Sequence, residues 1–133
     1  MIRIREIDHL VLRVRDLQPM LDFYCGALGC TVERQQDEIG LVQLRAGRSL
    51  IDLIPADGPL GRGAPSAQGR NLDHLCLRLD PFDEAAIRAH LAAHGVSAGE
   101  TASRYGAEGS GPSIYVTDPD GNTVELKGSP WPR

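Results

Sequence analysis

The sequence predicts an α+β fold made of two copies of one unit, in which a strand and a helix precede three further strands. Two observations support this prediction. Residues 72–79, LDHLCLRL, match residues 7–14, IDHLVLRV, in kind at every position, including one Asp, one His and one Arg. Both stretches are followed by the same order of apolar patterns and turn residues. The order of elements, more than the identity of the letters, therefore indicates a duplication.

The first half begins with the strand-like stretch 7–14. Its alternation places His9 on one face with Val11 and Arg13, and leaves the opposite face apolar. Asp16 can cap a helix and Pro19 suits its first turn, and the helix is predicted to continue over residues 20–29, where apolar residues recur at helical spacing and the final Gly is a natural stop. Runs rich in β-branched and other apolar residues predict three strands, at 31–34, 39–44 and 49–54.

The second half follows residues 55–70, a stretch rich in Gly and Pro that we interpret as a loop. At this length a plain linker and a binding or lid role are equally open. After the second His strand, an Ala-rich helix is predicted at 84–94, beginning after Asp83. Strand patterns follow at 96–98, 101–105, 113–117 and 122–127. A flexible loop is predicted at 106–112, and a hairpin turn at 118–121 joins the last two strands. The two repeats thus span about residues 5–54 and 71–127.

Composition restricts the function classes. A chain of 133 residues, 41% of them hydrophobic, predicts a single domain over residues 1–133. The net charge of −4 argues against nucleic acid as a partner. The sequence also shows neither a signal core nor an apolar stretch near the ~18 residues that would span a membrane. Three cysteines are too few for a disulfide framework, which favours a cytoplasmic location. Cys25 and Cys76 are expected to be buried thiols.

Each repeat supplies one His on its first strand and one carboxylate on its last. These residues are His9 with Asp52 and His74 with Glu125. Each carboxylate lies between two aliphatic residues and points opposite to them. Imidazole nitrogens and carboxylate oxygens suit a divalent ion such as Zn, Ni, Co, Mn or Fe. The alternative is that all four are ordinary polar residues on exposed faces, but their matching positions in two copies favour a metal site.

The repeated βαβββ pattern, the two histidines and the closing segment 115–126, YVTDPDGNTVEL, resemble the vicinal oxygen chelate superfamily. This group includes glyoxalase I, extradiol dioxygenases and bleomycin resistance proteins. The resemblance implies curved mixed sheets around a metal, with the helices on the outer face, usually in a homodimer. It also implies His9, His74 and Glu125 as metal ligands, with Asp52 at the position of the remaining ligand.

The resemblance implies a metal-dependent enzyme, and we favour a glyoxalase I-like lyase or isomerase acting on a small oxygen-chelating substrate through an enediolate or a related anion. A ring-cleaving or other Fe(II) dioxygenase and a non-catalytic small-molecule binding or antibiotic resistance protein are the alternatives. Asp52 is the candidate base, because it is the least certain metal ligand, and Glu125 and Tyr115 are the other candidate catalytic residues. Arg13 and Arg78 share faces with the histidines and are candidates for binding an anionic substrate.

Overall fold

The computed structural model describes residues 3–61 and 72–133. The chain divides into two compact units, Met1–Gln68 and Gly69–Arg133, which we call unit 1 and unit 2. Neither helix in the described ranges is long and apolar enough to cross a bilayer.

Unit 1 contains one four-stranded sheet in the order β1-β4-β3-β2. Its elements are β1 (His9–Val14), α1 (Leu17–Leu21) continuing into a π-helical segment (Asp22–Ala27), β2 (Thr31–Gln36), β3 (Leu41–Ala46) and β4 (Ser49–Pro55). Strands β1 and β4 are parallel, and the other neighbours are antiparallel. The carboxylate-bearing strand β4 therefore occupies an interior position in the sheet.

Unit 2 repeats this arrangement in the order β5-β8-β7-β6. Its elements are β5 (His74–Arg78), α2 (Glu84–Ala93), β6 (Ala102–Gly106), β7 (Gly109–Thr117) and β8 (Thr123–Lys127). Strand β5 runs parallel to β8, and β7 is antiparallel to both β6 and β8. The predicted α+β fold with two βαβββ units is confirmed.

The two faces predicted for the His strands are present. In β1, Leu12 and Val14 are buried, whereas His9, Val11 and Arg13 are exposed. The apolar face of β1 is aligned with the buried residues Leu44, Ile51 and Leu53 of the neighbouring strands, and unit 2 has the corresponding set Leu75, Ile114, Val116, Val124 and Leu126. One face of each sheet therefore supplies core, and the other carries the polar residues.

Two predicted segments differ from the structure. The first helix begins at Leu17, directly after Asp16 as predicted, although the Asp16 side chain makes no capping hydrogen bond. Its second part is π-helical rather than α-helical, and Gly29 follows it at φ 81°. The predicted flexible loop at 106–112 is wrong, because most of it belongs to a β6–β7 hairpin that pairs Gly106 with Gly109. Glycine is rare inside strands, but a side chain at Gly111 would meet the Ser129 carbonyl oxygen at 2.4 Å, so only glycine fits there.

The connection between the units is described only in part. Strand β4 ends at Pro55, and the backbone N–H of Ala56 donates to the Val14 carbonyl at 2.7 Å. Turns follow as far as Gly61, and the rest of the predicted loop 55–70 lies outside the described residues. A binding or lid role for this loop stays a prediction.

The turn between β7 and β8 sets the start of the strand that carries Glu125. Asp118 is only 3% exposed, and its carboxylate accepts from the backbone N–H groups of Asp120 and Asn122 at 2.9 and 2.8 Å. It also accepts from the Asn122 side-chain amide at 2.7 Å, while Gly121 has φ 85°. The carboxylate thus satisfies donors that the turn would otherwise leave unpaired.

We expect Asp118→Ala to lower the free energy of unfolding by about 2–3 kcal/mol, because it leaves part-buried N–H groups without their charged acceptor. Urea unfolding followed by circular dichroism measures the change. Asp37→Ala, in the exposed turn between β2 and β3, is the matched control and should change stability by no more than about 0.5 kcal/mol. Equal effects of the two substitutions would contradict the structural role assigned to Asp118.

Candidate functional site

The two carboxylates predicted from the sequence lie at equivalent places in the two sheets. Asp52 is aligned with Val11 across the β1–β4 pair, and Glu125 is aligned with Cys76 across the β5–β8 pair. Each is only 5% exposed, on a strand flanked by neighbours on both sides. The register therefore reproduces in unit 2 the carboxylate position found in unit 1.

In unit 2, Glu125 faces the imidazole of His74. The distance from His74 Nε2 to Glu125 Oε1 is 3.3 Å, and His74 Nδ1 lies 2.8 Å from Asp73 Oδ2. When Nδ1–H donates to Asp73, a neutral His74 presents its Nε2 lone pair to the Glu125 carboxylate. Two acceptors then face each other, so the pair needs a proton or a metal cation between them.

Tyr115 completes the cluster in unit 2. It is aligned with Glu125 across the β7–β8 pair, and its ring contacts the His74 ring edge-on with 5.8 Å between centroids. This packing restricts the orientation of the imidazole. The hydroxyl of Tyr115 as a hydrogen-bond donor to substrate stays a prediction.

In unit 1, a neighbouring side chain is bonded to each of His9 and Asp52. His9 Nδ1 lies 2.7 Å from Asp8 Oδ1, as His74 lies beside Asp73. This hydrogen bond raises the pKa of His9; burial lowers it, and the negative charge of Asp52 raises it further. Gln43, aligned with Asp52 across the β3–β4 pair, donates its side-chain amide to both Asp52 oxygens at 3.2 and 3.3 Å.

The charges of these carboxylates are poorly compensated. Within residues 3–61 and 72–133, neither Asp52 nor Glu125 forms an ion pair with Lys or Arg. A buried carboxylate in proteins is usually paired with a cation or coordinates a metal. The two positions are therefore suited to a positively charged ligand.

Cys76 is aligned with Glu125 and is not buried as the sequence predicted. The prediction that Cys25 and Cys76 are buried is wrong, since Cys25 is half-buried and Cys76 exposed. Local desolvation and the Glu125 carboxylate raise the pKa of Cys76 to about 11, against an opposing effect of Lys127. The thiol is therefore protonated at neutral pH.

The side chains of the two His–carboxylate pairs are of the types that bind divalent ions. His74 with Glu125 in unit 2, and His9 with Asp52 in unit 1, are imidazole and carboxylate pairs of the type that bind Zn, Ni, Co, Mn or Fe. No group of three or more His, Cys, Asp or Glu residues in the described ranges is placed to hold a metal ion. Each unit thus contains two of the four residues predicted as ligands, and the metal centre itself stays a prediction.

The two arginines proposed for substrate binding have other partners. Arg13 Nη1 donates to the Gly61 carbonyl at 3.5 Å, and Arg78 Nε donates to Glu108 Oε1 at 2.8 Å. Their role in substrate binding stays a prediction. The residues that sequence reasoning missed are Gln43, Arg104, Ser113 and Lys127, of which Lys127 could have been found, because it follows Glu125 by two positions on one strand.

The family model of the Glyoxalase/Bleomycin resistance protein/Dioxygenase superfamily matches residues 6–126. The match includes both His strands and both carboxylates. The chain belongs to this superfamily. The predicted resemblance is therefore confirmed.

The proteins similar to this superfamily member include a dioxygenase and a glyoxalase domain-containing protein. The chain is 29% identical over 121 residues to a catechol-2,3-dioxygenase of Bacillus subtilis, covering 90% of this chain but only 40% of the dioxygenase. It is 34% identical over 124 residues to a glyoxalase domain-containing protein, RDO1, of Mycosarcoma maydis, covering 92% of this chain and 68% of that protein.

A solved structure extends the likeness to the fold. An integron cassette protein from the mobile metagenome of V. cholerae is 30% identical and has a TM-score of 0.77. The alignment covers 96% of this chain and 98% of the cassette protein. The likeness to a chain of nearly the same extent confirms the arrangement of elements described above.

We expect Glu125→Gln to raise the free energy of unfolding of chelator-treated protein by about 0.5–2 kcal/mol, because it removes a buried, poorly compensated charge. Urea unfolding of both proteins in chelator measures the difference. Glu38→Gln, in the exposed turn between β2 and β3, is the control for the loss of one negative charge. A Glu125→Gln variant less stable than the control would show that the carboxylate is well compensated without a bound cation.

Proposed function

We propose that the protein is a metal-dependent enzyme, a glyoxalase I-like lyase or isomerase that acts on a small substrate with neighbouring oxygen atoms. The observation that carries the proposal is the His74–Glu125 pair, in which the imidazole Nε2 lies 3.3 Å from a buried carboxylate oxygen. Membership of the superfamily supports the same chemistry. Asp52 in unit 1, buried without a Lys or Arg partner in the described residues, supports it further.

The proposed ligands are His74 and Glu125 from unit 2 and His9 and Asp52 from unit 1. A divalent ion bound by them would act as a Lewis acid that stabilises negative charge on substrate oxygens. The chain's own residues orient this set. Asp73 holds the His74 ring through Nδ1, as outer partners of metal-bound histidines do.

Asp52 is the proposed base. Gln43 donates to both of its oxygens, which holds the carboxylate in one orientation. An ionised Asp52 would remove a proton from a substrate carbon next to a carbonyl and return it to the neighbouring carbon, so that the substrate is isomerised with no net gain or loss of protons. If Asp52 instead binds the metal, Glu125 and Tyr115 are the remaining candidates for proton transfer.

We expect Glu125→Ala and His74→Ala to lose most of the bound metal while keeping the fold, because each removes a proposed ligand. Elemental analysis of untagged protein purified without chelator measures metal content, and circular dichroism reports the fold. Glu38→Ala is the exposed control and should match the wild type, at about one divalent ion per chain. Unchanged metal content in both ligand variants would overturn the assignment.

His9→Ala and Asp52→Ala extend this test to unit 1. The predicted four-ligand set requires that His9→Ala also loses metal. If wild type holds no metal even after ions are supplied, a non-catalytic small-molecule binding protein becomes the leading function.

A ring-cleaving dioxygenase is the second candidate. The observation that favours it is the 29% identity to the catechol-2,3-dioxygenase of B. subtilis over 90% of this chain. His9, His74 and Glu125 would make a set of two histidines and one carboxylate, which suits non-haem Fe(II). Because the chain spans 40% of that dioxygenase, the activity of the longer protein is only a guide to this one.

Oxygen consumption separates the two candidates. For a lyase or isomerase we expect no catechol-dependent uptake of oxygen when the protein is loaded anaerobically with Fe(II) and then mixed with air-saturated catechol. An oxygen electrode measures the rate, with Glu125→Ala protein as the control for free iron. Oxygen uptake by the wild type that is absent in Glu125→Ala would show that the protein is a dioxygenase rather than a lyase or isomerase.

The homodimer and the cytoplasmic location stay predictions. The mass of the protein in solution tests the first, and a monomeric mass would contradict it.

A further inference from the structure

The helix of unit 2 carries two histidines that the proposed chemistry does not use. His90 lies in the last turn of α2, and His94 is the residue that caps its C-terminal end. Both are exposed. Side chains four positions apart lie one above the other on the same face of a helix. One exposed face of α2 therefore presents two imidazoles, whereas the other two histidines of the chain, His9 and His74, lie on strands.

The two imidazole rings already lie side by side. The ring centroids of His90 and His94 are 4.6 Å apart, and the ring planes are inclined by 46°. Two imidazoles that bind one ion through nitrogens about 2.0–2.1 Å away, at an angle of about 90–110°, have centroids roughly 4.5–5.2 Å apart. The observed separation therefore matches that of a pair sharing a metal ion. Rotation about side-chain bonds is enough to point one nitrogen of each ring at the ion.

The backbone that carries the pair is fixed by a Schellman motif. The N–H of Val96 donates to the Leu91 carbonyl at 2.9 Å, and the N–H of Gly95 donates to the Ala92 carbonyl at 3.0 Å. Gly95 has φ 70°, the left-handed conformation that this helix ending needs. The Leu91 side chain, 2% exposed, anchors the same turn in the core. The two histidines are thus held by an ordered turn and not by a frayed helix end.

The surroundings of the pair favour a cation. The C-terminal end of a helix is the negative end of its dipole. Arg88, the one Lys or Arg of α2, is bonded to Glu84 and to the loop at residues 99–101. Ala86 and Ala93, which neighbour the pair on the helix surface, are small and exposed. They leave room for water molecules on a bound ion.

The donors of the pair restrict the identity of the ion. The described residues contain no group of three or more His, Cys, Asp or Glu placed to hold a metal, so the pair supplies two nitrogens and no third ligand. A structural zinc site needs four protein ligands. Cu(II) and Ni(II) bind imidazole nitrogens in tetragonal geometry, and both stand high in the affinity order of divalent ions. They are therefore the ions that suit two imidazoles completed by water.

From this geometry we infer that His90 and His94 form a second metal site, which binds Cu(II) or Ni(II) with water in the remaining positions. The site does not rest on the proposed function, because neither His74 nor Glu125 belongs to it. An ion bound there joins two positions of the last turn of α2 and stabilises the folded helix by mass action.

Equilibrium dialysis against Ni(II), with the bound metal measured by elemental analysis, tests the site. Ni(II) is the probe because Cu(II) would oxidise the exposed thiol of Cys76. The untagged, chelator-treated full chain is compared with His90→Gln and His94→Gln. Gln is a good helix former and removes the imidazole, and circular dichroism verifies that both variants keep the fold.

We expect the wild type to bind about one more Ni(II) per chain than either variant at the same free Ni(II) concentration. Each substitution should weaken binding at this site by at least about tenfold, because one imidazole alone cannot chelate the ion. The two variants should lose the same ion, since both rings are needed to hold it.

A relocated histidine provides the matched control. Ala92→His combined with His94→Gln keeps four histidines in the chain, and Ala92 is exposed. Residues two positions apart do not face each other on a helix, so this double variant should bind Ni(II) as weakly as His94→Gln. Binding restored to the wild-type level would overturn the inference, because it would depend on histidine content and not on a shared face.

Equal Ni(II) binding by the wild type and both single variants would also overturn the inference. The proposed catalytic centre is tested separately by His74→Ala and Glu125→Ala, which leave His90 and His94 unchanged. Those two variants should retain the Ni(II) that His90→Gln loses. If they lose it, the ion belongs to the catalytic centre and the second site does not exist.

Discussion

Two carboxylates withdrawn from water on the interior strands of the sheets are the constraint around which this protein is arranged. Asp52 and Glu125 are each 5% exposed, and in the described residues neither has a Lys or Arg to neutralise it. Burying an unpaired carboxylate carries a desolvation penalty that lowers the stability of the fold. The amide of Gln43 and the imidazole of His74 reduce that cost without removing it. The remaining imbalance is the physical reason to expect a cationic ligand.

The duplication supplies the same frame twice, and the two copies have diverged in what surrounds the carboxylate. Across the antiparallel pair, Asp52 is aligned with Gln43, whereas Glu125 is aligned with Tyr115. Unit 1 thus offers a carboxylate held by a neutral amide, which suits a base. Unit 2 offers a carboxylate beside an imidazole, with the cation Lys127 next on the strand, which suits binding. Under the proposed function, one repeated fold would thus serve two chemical roles.

The glycine-rich hairpin between β6 and β7 illustrates how backbone and charge depend on each other. Gly106 leaves room for Lys127, and Gly111 leaves room for the backbone at Ser129. The lysine in turn donates to the Gly109 carbonyl within the same hairpin. Glycine has a low strand propensity, but at these two positions of the hairpin it is required, because Lys127 and the backbone at Ser129 pack against it.

The sequence by itself determined the duplication, the βαβββ order, the exposed faces of His9 and His74, and the turn at Asp118, because these follow from local periodicity and turn chemistry. It did not reveal the 106–112 hairpin, since glycine reads as loop until its long-range neighbours are known. Only the tertiary structure decided the contact of His74 with Glu125 and the hydrogen bond of Arg104 to Ser113. Those contacts join residues far apart in the chain, so strand register, which no local pattern encodes, brings them together.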